Sequence, residues 1–310
     1  MNKKIIKEFE EYLKLNNRAE KTIYDRLSCV KYFLLFLRDM NIKNVTDITS
    51  SVLKDYRRYL HKYINRKGKE DSPKTINTRV QAVRLFLRFL YEQGYLCSDL
   101  SDKVPYIKEP KKLPQITLNN KEIKKILKTC DTSTLMGYRD RVILEVLYSS
   151  AIRRNELINL KTEDIDTEGG YLRVNEGKGN KDRVTPLGKI ACKYVYNYVT
   201  GIRRLLLLNK EDSQWLFLTK NGNKMGETAV RDIIIKTSKK AKIEKSVTTH
   251  TYRRSCATEM IKNNANIMHV KDILGHENVS TTQIYARLTI NDLKKAHKKY
   301  HPREREYLRR

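Results

Sequence analysis

Apolar residues recur at three- and four-residue intervals along most of this chain, the period of helices with one buried face. Ile5, Ile6, Phe9, Tyr12 and Leu13 form a short stripe, and Tyr24, Leu27, Val30, Leu34 and Leu37 a longer one. A third helix is expected after Thr49 or Ser50, carrying Leu53, Tyr56 and Leu60. The fourth has the clearest limits. Ser72 can cap its start, Pro73 suits the first helical position and Gly94 suits the exit, which predicts a helix over 73–93. Within it Ile76, Val80, Val83, Leu87 and Leu90 step by four and three onto one face.

The pattern changes further along. Tyr171-Leu172-Arg173-Val174 and Arg183-Val184-Thr185-Pro186-Leu187 read as short strands. Gly177, Gly179 and Asn180 between them suit a tight connection, so a β-hairpin is expected. Helices are expected around it at about 120–130, 139–150, 154–161, 188–208, 226–241, 251–263 and 267–274. Pro105, Pro110 and Pro114 crowd a stretch that also carries Lys108, Lys111 and Lys112. Proline opposes a helix there and charge favours exposure. Residues 105–118 are therefore the expected linker between an all-helical domain (1–104) and a second domain (119–310) that is mainly helical with a small antiparallel sheet.

Charge narrows the range of partners. Lys and Arg number 64 against 36 Asp and Glu, a formal charge of +28, on a chain that is 39% apolar and so able to fold. That excess points to a polyanion, most simply double-stranded DNA. Lys74, Arg79, Arg84 and Arg88 lie off the apolar face of the 73–93 helix and are candidate DNA contacts. No apolar run approaches a membrane span, and the N-terminus leads into an amphipathic helix without a secretion signal, so a cytoplasmic protein is expected. Cys29, Cys97, Cys130, Cys192 and Cys256 are scattered and odd in number, which suits reduced thiols better than disulfides or a zinc site.

No phosphate-binding GxxxxGK[ST] loop and no HExxH occur. Glu163, Asp164 and Asp166 could be imagined around a magnesium ion, but acids in a polar segment after a helix are usually solvated, and no metal is expected. His297 and His301 have helical spacing but no third ligand in view. What remains are basic groups at element boundaries: Arg153, the Gly177–Arg183 hairpin tip with Lys178, His250 with Arg253 three residues on, and the run Leu274-Gly275-His276 ending at Tyr285. Ser280 and Gln283 form a capping-box pattern, so a break before Ser280 lets His276 and Tyr285 face one pocket.

In that order, this set resembles the tyrosine recombinase (integrase) family, most closely its Xer members. The strings Gly177–Arg183, Leu274–Tyr285 and His301-Pro302-Arg303 carry the likeness, which extends over nearly the whole chain. The resemblance implies a SAM-like helical core-binding domain and an α/β catalytic domain that encircle DNA. It implies a catalytic set of Arg153, Lys178, His250, Arg253, His276 and Tyr285, with Tyr285 the nucleophile, and further DNA contacts from Lys181 and Arg183. Three positions depart from the common pattern: Ala151 where Gly is frequent, Thr249 where Pro is common, and Arg254 where many relatives have a second His.

The chemistry follows from the residue types. Two guanidiniums can fork onto non-bridging phosphate oxygens and hold the charge that grows in the transition state. The histidines can add hydrogen bonds or move the nucleophile's proton. A phenol, mostly protonated at neutral pH, needs that cationic pocket to attack phosphorus and form a 3′-phosphotyrosyl link. Lys178 can protonate the leaving 5′-oxygen. No metal, ATP or other cofactor is called for. The resemblance further implies a homotetramer in the synaptic complex, formed from free monomers or dimers, and a tail from about residue 291 that packs on a neighbouring protomer. It also brings in a septal DNA translocase as an accessory partner. Chromosome dimer resolution is the expected role. The alternatives are a mobile-element integrase, to which the lack of an arm-binding domain is less suited, a type IB topoisomerase-like relaxing enzyme, a magnesium-dependent nuclease and a non-enzymatic helical DNA-binding protein.

Overall fold

The computed structural model describes residues 3–65, 68–110, 116–175, 182–207 and 213–275. The chain divides into two compact units, Met1–Leu113 and Pro114–Arg310.

The first unit is helical: α1 (Lys3–Leu15), α2 (Glu20–Asp39), α3 (Ser50–Lys62) and α4 (Pro73–Glu92). Thr49 and Ser72 cap α3 and α4, each accepting a backbone N–H from the first turn. The buried stripes of these helices meet in one core around Phe9, Phe33, Tyr56, Phe86 and Phe89. Phe9 meets Phe86 edge-on with ring centroids 5.1 Å apart, and Phe33 meets Tyr56 at 4.7 Å. One stripe is rotated from the expected one: Ile23 is buried on α2 while Tyr24 is 73% exposed. Tyr24 shares its face with polar neighbours, and the aromatic ring alone does not draw it inward. The first part of the expected linker is tied down. Val104 is buried, and the Asn77 carboxamide both accepts the Ile107 N–H (2.8 Å) and donates to the Ile107 carbonyl (2.9 Å), as a strand neighbour would.

The second unit contains α5 (Asn120–Lys128), α6 (Leu135–Ser150) and α7 (Arg154–Ile158), then β1 (Ile165–Asp166), β2 (Tyr171–Val174) and β3 (Arg183–Pro186). These strands form an antiparallel sheet in the order β1-β2-β3, with Val174 opposite Arg183 at the mouth of the hairpin. α8 (Lys189–Asn197), α9 (Arg203–Leu207), α10 (Glu227–Lys240), α11 (Thr249–Lys262) and α12 (Ile267–Leu274) follow. The core gathers on α6, whose Val142, Ile143, Leu144, Val146 and Leu147 are all buried. The single helix expected over 188–208 is interrupted by a π-turn at Tyr198–Ile202. The wider turn keeps Tyr198 buried and starts α9 with Arg203 directed inward, where its guanidinium reaches the Trp215 carbonyl at 3.0 Å. α7 stops at Ile158, short of the expected 161, and the two-residue β1 lies in the segment where no strand was expected. No described helix is long and apolar enough to cross a membrane.

Candidate active site

Three helix boundaries and one strand start converge in the second unit. α6 ends at Ala151 in the left-handed region (φ 52°, ψ 27°), a conformation that turns the chain sharply. The family resemblance leads to an expectation of Gly at this position, and the methyl group of Ala151 is fully buried. Ile152 then enters the core, and Arg153 becomes the residue that precedes α7. α12 ends at Gly275, also left-handed (φ 59°). A Cβ at Gly275 would stand 2.8 Å from Arg183 Cδ, so both the turn and the close approach require glycine.

Arg253, on α11, is only 4% exposed. Its guanidinium donates to the Ala151 carbonyl at 2.6 Å and to the Leu274 carbonyl. These are the last carbonyls of α6 and α12, where the helix dipoles place partial negative charge, and this offsets part of the cost of burying the cation. Arg153 donates through Nη2 to the Gly275 carbonyl (3.1 Å) and through Nη1 to Glu156 (2.7 Å). Residues that lie about a hundred positions apart in sequence are thus locked into one cluster.

Glu156 is the centre of that cluster, and sequence reasoning gave it no role. Its carboxylate accepts the Arg153 backbone N–H at 2.7 Å and a fork from Arg183 at 2.9 and 2.7 Å. Burial alone would push this carboxyl up. The Arg183 fork, the Arg153 N–H and both positive charges overcome burial and bring it down to about 2. The signal was present: Arg-x-x-Glu at a helix start places the two side chains one turn apart.

Beside Arg153 and Glu156 opens a cavity of about 630 Å³, with Arg154, Asn159, Asn175, Arg231 and His250 on its wall. His250 sits exposed at the start of α11, a helix that Thr248 caps by accepting the Thr251 N–H. Partial burial, and after it the charges of Arg254, Arg253, Arg153 and Arg154, hold its imidazole below the ordinary pKa. The shift favours the neutral imidazole, the form able to accept a proton. The pocket as a whole is a cationic recess suited to a phosphate diester.

Of the expected catalytic set, Arg153, His250 and Arg253 are brought together here, while Lys178, His276 and Tyr285 lie outside the described residues, as do Lys181 and the tail from 291. Gly275, the neighbour of His276 in sequence, stands at the cluster. Arg183 was expected on DNA, but its guanidinium is forked onto Glu156 and its side chain is only 13% exposed. This corrects its reading as an open phosphate contact. The α4 residues belong to the other unit. Lys74 is exposed, and Arg88 lies 3.8 Å from Asp99. Arg84 pairs with Asp102 and covers the Tyr106 ring. Arg79 is corrected outright: its guanidinium lies between the rings of Tyr32 and Tyr63 and 2.8 Å from Asp71, where aromatic and carboxylate partners draw it from the surface. Of the three acids considered around a magnesium ion, two accept backbone N–H groups, and Glu163 lies exposed 3.5 Å from Lys161 Nζ. Asp164 accepts the Lys161 N–H and Asp166 those of Glu168 and Gly169.

The model of the phage integrase family matches residues 117–291, and that of the phage integrase N-terminal SAM-like domain matches 6–94. The chain belongs to the phage integrase family of tyrosine recombinases, close to its Xer members. It is 32% identical over 300 residues to the tyrosine recombinase XerD of Staphylococcus saprophyticus, covering 96% of this chain and 99% of that one. It is 36% identical over 232 residues to XerD of Staphylococcus aureus, 75% of this chain and 78% of the relative. Among solved structures, XerA recombinase is similar over 96% of this chain and 99% of that one, with 27% identity and a TM-score of 0.53. XerH bound to its difH substrate aligns over 91% of this chain and 80% of that one, with a TM-score of 0.71 at 19% identity, which is a likeness of fold. The chain is thus a site-specific tyrosine recombinase of the Xer type, a DNA recombinase.

Proposed function

We propose that Arg153, Lys178, His250, Arg253, His276 and Tyr285 carry the strand transfer and that each unit has a separate task. The first unit is a core DNA-binding domain, with Lys74 and Arg88 as the exposed cations of α4. The second cuts and rejoins. The observation that carries this reading is the convergence of Arg153 and Arg253 on the ends of α6 and α12, next to a cationic recess lined by His250.

The Tyr285 phenol attacks phosphorus from one side while Arg153 and Arg253 hold the non-bridging oxygens. Its proton passes to neutral His250. The P–O5′ bond breaks, and the leaving oxygen takes a proton from Lys178 Nζ. The product is a 3′-phosphotyrosyl enzyme whose ester energy is kept for rejoining, so attack by a 5′-hydroxyl from another strand completes the exchange. The protein acts as a tetramer on two paired sites in the cytoplasm, and its role is chromosome dimer resolution, with a septal DNA translocase as accessory. The near full-length likeness to XerD supports that role over mobile-element integration.

A nicked suicide DNA substrate incubated in EDTA tests the reading. The expected result is a denaturation-resistant protein–DNA adduct that Tyr285→Phe abolishes while DNA binding is retained. An adduct that survives Tyr285→Phe, or cleavage that depends on added magnesium, would overturn it.

A further inference from the structure

We propose that Ser255 is a positioning residue for Arg253: its buried hydroxyl clips the chain that leads into α5, at Leu118, onto the back of the helix that carries this arginine. This rests on the reading of Arg253 as a phosphate-holding residue given above.

Ser255 lies on α11 and is fully buried. Its hydroxyl donates to the Thr251 carbonyl at 2.7 Å, the back-bond usual for a serine inside a helix. The same oxygen accepts the Leu118 N–H at 2.8 Å, across 137 positions of sequence. Leu118 belongs to no helix or strand and is buried, so its N–H would be costly to leave without an acceptor. A second clip flanks the first. Lys245, in the connection before α11, donates to the Thr117 carbonyl at 3.1 Å and pairs with Glu122 at 2.8 Å. Glu122 in turn completes the capping box with which Asn119 starts α5. The Thr117 carbonyl and the Leu118 N–H are the two ends of one peptide unit, and side chains from α11 and its approach hold both.

The geometry of α11 gives this clip its consequence. At about 100° per residue Ser255 stands about 200° round from Arg253, so the helix is gripped on opposite sides. On the front, the Arg253 guanidinium reaches the carbonyls that end α6 and α12. On the back, the hydroxyl meets Leu118. How far the guanidinium projects depends on where the helix axis rests, and a phosphate clamp is sensitive to displacement of about 1 Å. Ser255 is not among the described residues that wall the cationic recess, and its hydroxyl meets Thr251 and Leu118. Its effect on the chemistry therefore passes through the helix.

The test compares two suicide substrates, one with the natural phosphodiester and one with a methylphosphonate at the scissile position. The methyl group replaces a charged non-bridging oxygen, so the neutral link asks far less of an arginine clamp and as much of the rest of the site. Ser255→Ala is expected to slow single-turnover cleavage of the diester about tenfold and to leave the methylphosphonate within about twofold of the wild-type rate. Equal slowing on both substrates would mark Ser255 as a general structural prop and overturn the proposal, as would no slowing on either. If Ser255→Ala does not fold, Lys245→Met decides in its place, since it releases the other end of the same peptide unit from the surface. A loss of about threefold on the diester alone is then expected, and no loss, or an equal loss on both substrates, overturns the proposal. Arg253→Ala is run beside them. If Arg253→Ala is spared on the methylphosphonate and Ser255→Ala is not, the clip is wrong and the clamp stands. If Arg253→Ala is equally slow on both, the clamp assignment falls and the proposal falls with it.

Discussion

Glu156→Gln isolates the buried carboxylate at the centre of the site. Glutamine has nearly the shape of a protonated glutamate, so the substitution removes the charge and little else. The ionised carboxyl is stabilised from the ordinary 4.5 down to about 2. At 1.36 kcal/mol per pH unit this corresponds to about 3 kcal/mol in favour of the folded state at neutral pH. Because the folded value lies below the unfolded one, this stability is present above about 4.5 and is lost as pH falls towards about 2. The only tryptophan, Trp215, lies in the second unit, so its fluorescence follows the unfolding of that unit alone. For a unit of this size about 3 kcal/mol corresponds to a fall in Tm of about 6–12 °C. The wild type and Glu156→Gln are therefore expected to differ by that amount at pH 7.5 and to converge as the pH is lowered towards 2.5. A variant as stable as wild type at pH 7.5, or a gap unchanged in acid, would refute the reasoning.

Further outcomes are expected. Gly275→Ala forces a side chain into the left-handed region, at about 1–2 kcal/mol, and drives its Cβ into Arg183, so Trp215 fluorescence should report a lower Tm. The opposite change suits Lys242, an exposed residue held at φ 52° after α10. Lys242→Gly should raise stability by up to about 1 kcal/mol in urea denaturation and leave cleavage unchanged. His250 should titrate below 6.5 by NMR. Since the folded value is the lower one, neutral His250 favours folding above about 6.5, and that contribution is lost as pH falls through the folded value. If His250 accepts the phenol's proton, cleavage falls over the same acid range, and His250→Gln removes that limb of the pH–rate profile.

Much of the fold was legible because local rules and burial agreed. Ser72 and Pro73 open α4 where the capping pattern placed them, and β2 and β3 pair antiparallel as expected. Departures occur where tertiary partners outweigh pattern. Tyr24 looks apolar in a list but faces outward, and the helix after Gly188 gives up its regular turn so that Tyr198 and Arg203 can both find partners inside. At the site, residue types identified Arg153, His250 and Arg253. They did not reveal what holds them. The carbonyls of Ala151, Leu274 and Gly275 have no signature in sequence, because any residue supplies one. Charge was the least faithful guide. Arg79 and Arg183 look like phosphate contacts in a strongly basic chain, yet one is held by two tyrosines and the other by Glu156. A cation's partner is decided by what lies within a few ångströms of it, and single-sequence spacing does not specify that.

The central claim is that one phenol becomes joined to the 3′ end of a cut strand without a metal. Peptide mapping by mass spectrometry of the adduct trapped in EDTA tests it most directly. The account predicts a nucleotide remnant on the peptide containing Tyr285, attached through the 3′-phosphate. A remnant on another residue, or a link through a 5′-phosphate, would contradict it.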